Sequence, residues 1–367
     1  MKIDGRAFRS IWLDETDHWS VRIIDQTQLP WTFDIARLST VDHVAHAIRA
    51  MQVRGAPLIG ATAAYGVALA MRADPSNDNL TQAIIQLAAT RPTAINLRWA
   101  LERMELTLRQ RPPAERVDIA YQAAAAICDE DVATNRAIGA HGLGLIQARA
   151  HGNRRVNLLT HCNAGWLATV DWGTALAPIY CAHDAGIDVH VYIDETRPRN
   201  QGASLTAWEL GKHGVPHTVI VDNAGGHLMQ RGAIDMVIVG TDRVTRTGDV
   251  ANKIGTYLKA LAARDNGIPF YVALPASTID WRIADGLSDI PIEERAASEV
   301  TTITGRALDG SIATVRLVPK DSDAVNPAFD VTPARLVSGL ITECGICTAS
   351  EAGLAALFPQ AREPVAA

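Results

Sequence analysis

A thiol and three carboxylates stand at the ends of apolar segments, where side chains are well placed to do chemistry. Cys162, Glu195, Asp222 and Asp242 each lie at or just beyond the end of a short apolar run. If those runs are parallel strands, their carboxyl ends meet at one edge of a sheet, and ligands bind beyond that edge. The four side chains would then lie close together. The pattern therefore predicts an enzyme with its active site at this edge.

Cys162 has two interpretations from sequence. Cysteine is among the most buried residue types, so an isolated strand cysteine is most often inert core. However, Asn163 and the residues after it are compatible with a helix start, and a thiol at a helix N-terminus has a lowered pKa. The first interpretation predicts a packing role and the second a reactive thiolate.

Asp242 also has more than one interpretation. A carboxylate after an apolar strand is commonly a helix cap or a ribose ligand. A dinucleotide site would need a glycine fingerprint about 20 residues earlier, and Gly225-Gly226 does not follow a strand in that pattern. A partly desolvated acid would instead have a raised pKa and keep a proton near neutrality. Asp242 is therefore a candidate general acid.

Cations stand near helix starts at three places. Arg54 precedes Gly55-Ala56-Pro57, a turn that heads an apolar helix, and Arg91 precedes another predicted helix. Asn252-Lys253 also stands where a helix opens. Helix N-termini attract anions, so these positions suit a phosphate and the hydroxyl groups of a sugar. The alternative for Arg54 is a helix-breaking turn with a solvated side chain.

Apolar runs and turn residues predict an α/β fold. The carboxyl-terminal part has five apolar runs without polar alternation, as expected for parallel strands covered on both faces: 156–160, 189–193, 218–221, 236–240 and 270–274. Short connections between them indicate right-handed crossover units. The part before them has a small antiparallel sheet, up to about Arg37, and then helical patterns at 39–51, 58–71, 80–90, 94–109, 114–126 and 129–150. We expect a mainly helical domain at 1–150 and a Rossmann-like catalytic domain at 151–367.

Composition excludes several classes of partner. The 367 residues have a net charge of −6 and no basic block, so we expect neither nucleic acid nor an anionic membrane as partner. The run Leu58–Met71, about 14 residues, is too short to span a bilayer. Five scattered cysteines fit reduced thiols, and the N-terminus lacks the apolar core of a signal peptide, so we expect a cytoplasmic protein. The pairs His43/His46 and Cys344/Cys347 lack further ligands, and no metal site is predicted.

Several motifs together resemble those of a known family. They are Arg54–Pro57, Arg91–Leu97, Cys162–Gly165, Glu195–Pro198, Gln201–Gly202, Leu205–Leu210, Gly248–Asp249, Ala251–Tyr257, Pro291–Arg295 and Asn326–Pro333. In these segments the chain resembles the methylthioribose-1-phosphate isomerases. That family belongs to a superfamily that includes the regulatory subunits of a eukaryotic translation-initiation guanine-exchange factor.

The resemblance implies a function and a set of site residues. It implies conversion of 5-methylthioribose 1-phosphate to the corresponding ribulose 1-phosphate in methionine salvage, without metal or other cofactor, by a homodimer. Asp242 would be the acid and Cys162 the second catalytic group. The residues that would contact the substrate are Arg54, Gly55, Ala56, Arg91, Gln201, Asn252 and Lys253. The implied fold is a helical domain followed by a Rossmann-like domain.

Three alternatives remain open at this stage. An isomerase of 5-deoxyribose 1-phosphate or ribose 1,5-bisphosphate would share the same motifs. A regulatory subunit without catalysis would not need the cysteine and the aspartate, and both are present. A nicotinamide-dependent dehydrogenase would need the glycine fingerprint that is missing.

Overall fold

A seven-stranded sheet in the carboxyl-terminal part of the chain positions the predicted site. The computed structural model describes residues 1–92, 94–150 and 154–362. Its strands are β1 (Lys2–Ile3), β2 (Arg6–Ala7), β3 (Ile11–Leu13), β4 (Val21–Ile24), β5 (Ile35–Leu38), β6 (Val156–Thr160), β7 (Val189–Asp194), β8 (His217–Ile220), β9 (Met236–Val239), β10 (Arg243–Thr245), β11 (Val250–Lys253), β12 (Phe270–Ala273), β13 (Ile279–Asp280), β14 (Thr302–Arg306), β15 (Ile312–Arg316), β16 (Phe329–Thr332), β17 (Gly339–Thr342) and β18 (Gly345–Cys347).

The α-helices divide between the two parts of the chain. The first part holds α1 (Val41–Arg49), α2 (Ala56–Ala73), α3 (Asn77–Ala88), α4 (Ile95–Arg109) and α5 (Pro113–Gln147). The second part holds α6 (Ala177–Asp184), α7 (Ala207–His213), α8 (Ala224–Gln230), α9 (Thr256–Asp265), α10 (Gly286–Asp289), α11 (Ser298–Thr301) and α12 (Glu351–Leu357). A π-helical turn, Gly202–Thr206, leads directly into α7.

The large sheet has the strand order β18-β17-β12-β9-β6-β7-β8. Every neighbouring pair is parallel except β17 and β18. The five predicted strands are confirmed, and so is the α/β class; β17 and β18 extend the sheet beyond the prediction. Strands β6 and β9 are direct neighbours, with Leu159 opposite Val237. The residues that follow these two strands therefore come out side by side.

The expectation that every strand is covered on both faces is wrong for β8. This strand lies at the edge of the sheet, and Val219 on it is 43% exposed. By contrast, all four residues of β9 are buried. The apolar run at 218–221 thus indicated a strand correctly but did not indicate its position in the sheet.

The helices of the first part pack around α2. Fifteen of its 18 residues are buried, and they share a hydrophobic core with α1, α3, α4 and α5. Within the described part of the chain, α2 is the one helix that is long and apolar enough to cross a membrane by length and composition. It is longer than the 14 residues expected, but its burial makes it the core helix of this domain. Residues 113–147 form one continuous helix, α5, where the sequence indicated two.

Four smaller sheets accompany the large one in the described residues, and two of them, β1-β2 and β14-β15, have only two strands. The predicted antiparallel sheet near the N-terminus is confirmed as β3-β4-β5. A four-stranded sheet in the order β13-β10-β11-β16 was not expected, and its strand β11 ends at Lys253. The proposed boundary after residue 150 falls beside residues 151–153, which lie outside the described residues, so the division into two domains remains an expectation.

Candidate active site

Cys162 and Asp242 lie close together because they follow neighbouring strands. Cys162 is two residues beyond the end of β6, and Asp242 is three residues beyond the end of β9. The charge of Asp242 contributes to the pKa of the Cys162 thiol, which places both groups within electrostatic range of each other. Arg54 and Lys253 act on both groups as well. The four groups therefore lie within electrostatic range of one another.

The backbone around Cys162 is held by two threonines. The Cys162 N–H donates to Thr196 Oγ1 over 2.8 Å, and Thr206 Oγ1 donates to the Cys162 carbonyl over 2.7 Å. Cys162 adopts a φ of +65°, a region in which few residues other than glycine are stable. These contacts fix the thiol in place, with Sγ 3.5 Å from Gln201 Oε1. Cys162 is buried, with 8% of its surface exposed.

The expectation of a helix beginning at Asn163 is wrong. A 3-10 turn, Trp166–Ala168, follows instead, and the next α-helix begins at Ala177. The thiol therefore has no helix N-terminus to lower its pKa. Burial raises the pKa of Cys162, while the positive charges of Arg54 and Lys253 oppose that rise. The surroundings of Cys162 thus favour the thiol over the thiolate.

Asp242 has the protonation behaviour that the sequence suggested. Its backbone N–H donates to the Ala251 carbonyl over 3.0 Å, which ties it to β11. Burial raises the pKa of its carboxyl group, and Lys253, Arg91 and Arg54 oppose the rise. The side chain lines a small cavity together with Arg91 and Phe329. A carboxyl group beside a cavity whose pKa is raised by burial is suited to general-acid chemistry.

Arg54 reaches the site from the start of α2. It is 7% exposed and donates through both terminal nitrogens to Asn163, the residue after Cys162. Gly55 has a φ of +87°, and a Cβ there would lie 2.3 Å from the carbonyl oxygen of Ala168. The turn therefore requires glycine both for its conformation and for the close approach of the next segment. The solvated alternative for Arg54 is wrong.

Asn252 and Lys253 end a strand, although the sequence suggested a helix start. Asn252 Nδ2 donates to Thr256 Oγ1 over 2.9 Å, and α9 begins only at Thr256. Lys253 Nζ lies 4.7 Å from the centre of the Phe329 ring. Burial lowers the pKa of Lys253, while Cys162 and Asp242 oppose that fall. The Lys253 amine thus lies within electrostatic range of both proposed catalytic groups.

Arg91 stands next to the same cavity as Asp242 and forms an ion pair with Glu293. Within the described residues its Nε is buried and has no hydrogen-bond partner, so this guanidinium has an unused donor. Thr93, which the sequence placed in the same capping motif, lies outside the described residues. Ala56 lines the cavity too, and Gln201 lines a second cavity shared with Arg54 and Arg199.

Asp222 lies at the expected edge of the large sheet, but its carboxylate accepts hydrogen bonds from backbone N–H groups. It accepts from the N–H groups of Thr196 and Arg197 over 2.7 and 2.8 Å. It therefore stabilises the turn that places Thr196 on Cys162. Glu195, the other expected carboxylate, donates its backbone N–H to Ile220.

Sequence reasoning missed a buried charged cluster behind Cys162. His161 Nδ1 is 2.8 Å from Asp194 Oδ2, and His161 Nε2 is 2.8 Å from the Ile254 carbonyl oxygen. Both ring nitrogens of His161 therefore lie against hydrogen-bond acceptors. Lys259 Nζ lies 3.3 Å from the same carboxylate. A lone histidine and a lysine on a helix gave no signal of this contact.

The one group of described side chains with metal-ligand spacing includes two of these residues. His161, Asp194 and Asp222 place ligand atoms within 4.8 Å of one another. His161 and Asp222 already use those atoms in the hydrogen bonds given above, and the Lys259 ammonium balances Asp194. We therefore assign this group to the framework of the site.

The remaining sequence candidates lie elsewhere. Cys128 is buried in α5, and burial raises its pKa, as expected for a core thiol. Cys344 lies in the turn of the edge hairpin β17–β18, and Cys347 lies on strand β18. Both are free thiols. His43 and His46 are exposed on α1, which fits the predicted solvated face.

Comparisons with known proteins agree on one group. The sequence profile of the Initiation factor 2 subunit family matches residues 52–349. A methylthioribose-1-phosphate isomerase from Acidiphilium cryptum is 80% identical over 359 residues, which cover 98% of this chain and 98% of that protein. The crystal structure of 5-methylthioribose 1-phosphate isomerase from Pyrococcus horikoshii OT3 has a TM-score of 0.83 and 39% identity, covering 97% of each chain. The structure of translation initiation factor eIF-2B, subunit delta, from A. fulgidus has a TM-score of 0.80 and 38% identity, covering 96% of this chain and all of that one.

Proposed function

The chain belongs to the Initiation factor 2 subunit family, and on this basis we propose that it is an aldose–ketose isomerase. The proposed reaction converts 5-methylthioribose 1-phosphate to 5-methylthioribulose 1-phosphate, a step of methionine salvage. The observation that carries this assignment is the 80% identity to a methylthioribose-1-phosphate isomerase over 98% of both chains. The clustering of Cys162, Asp242, Arg54 and Lys253 supports it, since a sugar phosphate needs both an acid and cations.

Three cations are proposed to fix the phosphate group. Arg54, Arg91 and Lys253 all act electrostatically on Asp242, which supports a common role in binding one anion. The backbone of Gly55 and Ala56 lies at the start of α2, where N–H groups favour an anion. The amides of Gln201 and Asn252 are 5% exposed and are proposed to bind sugar hydroxyl groups. Substrate positioned by fixed charge needs little reorganisation during the reaction.

The first chemical step opens the ring. A sugar phosphorylated at carbon 1 has no free aldehyde, so ordinary isomerisation cannot begin. Asp242 donates its proton to the ring oxygen, the bond from that oxygen to carbon 1 breaks, and carbon 1 becomes electron-deficient. Burial raises the pKa of the Asp242 carboxyl group, which favours the protonated form that this step needs.

The second step moves a hydrogen from carbon 2 to carbon 1. In one route the Cys162 thiolate takes it as a proton, an enol forms between the two carbons, and the proton returns to carbon 1 as the carbonyl forms at carbon 2. In the other route the hydrogen moves with its electron pair, the hydroxyl on carbon 2 loses its proton, and Cys162 shapes the apolar surroundings. Neither route passes electrons to an external acceptor, so the chemistry requires no nicotinamide.

A substrate panel tests the assignment. The protein is incubated separately with the methylthio, 5-deoxy and 5-phospho sugar 1-phosphates, and ketose formation is followed. The expected result is that the methylthio sugar has the highest kcat/KM. A higher kcat/KM for one of the other two sugars would identify that sugar as the substrate instead. In deuterated solvent, deuterium at carbon 1 of the product would exclude an obligate hydride shift.

A regulatory subunit is the second candidate, favoured by the 38% identity to translation initiation factor eIF-2B, subunit delta. The cysteine, the aspartate and three cations at one site argue for catalysis, because a scaffold has no need of them. Absence of turnover with every sugar 1-phosphate would favour this candidate. We also propose a homodimer in the cytoplasm, which sedimentation and cell fractionation would test.

A further inference from the structure

Glu209 is a buried carboxylate beside the proposed active site that the mechanism above does not use. It lies on α7 and is 0% exposed. Its Oε1 accepts from the side-chain amide of Asn163, and its Oε2 is 3.5 Å from the Leu167 N–H. A buried carboxylate is unfavourable unless hydrogen bonds or charges compensate for lost hydration, so its presence requires a reason.

The amide of Asn163 connects Glu209 to Arg54. Its Oδ1 accepts from Arg54, and its Nδ2 donates to Glu209 and, over 3.1 Å, to Thr206 Oγ1. A guanidinium has only donors and the carboxylate supplies an acceptor, so the partners on both sides fix which way the amide points. The carbonyl of Asn163 accepts a second bond from Arg54 over 2.8 Å.

We propose that Glu209 is a positioning residue, which holds the Arg54 guanidinium and the Cys162–Asn163 backbone in place through the Asn163 amide. The proposal rests on the proposed function in one respect, namely that Arg54 binds the substrate phosphate. Glu209 itself does not contact substrate. Its effect is transmitted through two hydrogen bonds to a cation that does.

The turn after Cys162 is built around this carboxylate. A Cβ on Gly165 would lie 2.1 Å from Glu209 Oε1, so the glycine leaves the space that the carboxylate fills. Thr206 connects the same elements, because its hydroxyl donates to the Cys162 carbonyl and accepts from Asn163. The contact between α7 and this turn is therefore specific in shape and in polarity.

Either protonation state of Glu209 can accept the Asn163 bond. Burial raises the pKa of Glu209 to about 7, with Asn163, Leu167, Tyr180 and Arg54 opposing the rise. A neutral acceptor of the same shape should therefore suffice. The effect of a neutral replacement therefore distinguishes a hydrogen-bonding role of Glu209 from a role as the counter-charge of Arg54.

The test compares two substitutions of Glu209. Glu209→Gln keeps an acceptor for Asn163, and we expect KM and the inhibition constant of inorganic phosphate to stay within about threefold of wild type. Glu209→Leu removes the acceptor, and we expect both constants to rise about ten- to a hundredfold while kcat changes less. Asn163→Leu removes the amide that connects Glu209 to Arg54. This variant takes the place of Glu209→Leu in the test if Glu209→Leu does not fold. Glu343→Gln is the matched control, a largely buried glutamate that accepts from Ala276 and lines a different cavity.

A coupling measurement separates positioning from general destabilisation. In an Arg54→Met background, Glu209→Leu should add little to the phosphate inhibition constant, because the cation that it positions is gone. The proposal is overturned if the two losses simply add, if Glu209→Gln loses as much as Glu209→Leu, or if Glu209→Leu binds phosphate as wild type does. Should no sugar 1-phosphate be turned over, the proposed function fails, but direct titration of inorganic phosphate still decides the role of Glu209.

Discussion

Arg91 and Glu293 form an ion pair beside the cavity that Asp242 lines, with Nη2 and Oε2 3.0 Å apart. The two charges act on Asp242 in opposite directions. Arg91 lowers the pKa of the Asp242 carboxyl group, and Glu293 raises it together with burial. The pair therefore helps to determine the pH up to which Asp242 keeps its proton.

Replacing Glu293 should move the pH dependence of activity. As a general acid, Asp242 must be protonated, so activity falls as the pH rises through its pKa. Glu293→Gln removes a charge that raises this pKa, and we expect the fall in kcat/KM to begin at lower pH than in wild type. Both proteins use the same substrate, so ionisation of its phosphate cancels in the comparison. An unchanged pH profile would contradict the assignment of Asp242 as the acid.

Substitution of either proposed catalytic residue should abolish turnover without unfolding the protein. We expect Cys162→Ser and Asp242→Asn each to lower kcat by a factor of about 10² to 10⁴ or more. This is the range of factors that acid–base catalysis contributes. Both replacements preserve shape closely, so thermal denaturation should remain cooperative. Substantial activity in one variant would remove the role assigned to that residue.

Removing the charge of Lys253 should weaken phosphate binding and make the thiol harder to ionise. Lys253 lowers the pKa of Cys162, so Lys253→Met should slow the alkylation of Cys162 by iodoacetamide at a fixed pH and raise KM about tenfold or more. Site-resolved mass spectrometry distinguishes Cys162 from the exposed Cys344. Lys212→Met, which removes a surface lysine paired with Asp4, is the control and should change neither quantity.

The glycine before α2 should tolerate no side chain. Gly55→Ala combines a φ of +87° with a clash against the Ala168 backbone, and we expect a loss of unfolding free energy of about 2 kcal/mol or more. Gly186→Ala has a similar φ of +78° but nothing within 4 Å, so it measures the conformational cost alone. Denaturant titration of both variants gives the contribution of the clash by difference. Equal losses would indicate that close packing against Ala168 contributes nothing.

The buried Glu209 should make stability depend on pH. Folding raises the pKa of Glu209 from 4.5 to about 7, so the folded state disfavours the charged carboxylate more than the unfolded state does. The free energy of unfolding therefore falls as the pH rises between these two values. Glu209→Gln cannot ionise, and its stability relative to wild type should increase from pH 4 to pH 8 by about 1–3 kcal/mol. Denaturant titrations across this pH range would measure the difference, and a constant difference would contradict the raised pKa.

Sequence predicted the sheet well because its central strands have a strong local signal. Residues 236–239 are all apolar, and 156–160 are mostly apolar, a composition typical of strands covered on both faces. The strand order explains why Cys162 and Asp242 meet, but the order itself depends on contacts between distant segments. Strand β8 shows the limit, since an apolar run of similar composition lies exposed at the edge.

The environment of the site residues was harder to predict. The left-handed backbone of Cys162 is imposed by Thr196 and Thr206, which are far from it in sequence, so the expected helix after it does not form. Lys253 ends a strand because β11 pairs with β16, some 75 positions further on. Glu209 lies in the Leu205–Leu210 motif, but no role was predicted for it, because a carboxylate on a helix is normally solvated. Such features depend on tertiary structure and have no local pattern.

The connection between Arg54 and Asn163 has a consequence for how the protein becomes active as it is made. Arg54 leaves the ribosome about a hundred residues before its partner, and Lys253 follows roughly ninety residues after that partner. A nascent chain stalled midway would contain the complete helical bundle and yet bind no phosphate. The onset of phosphate binding during synthesis would therefore report the moment when the two halves of the molecule dock.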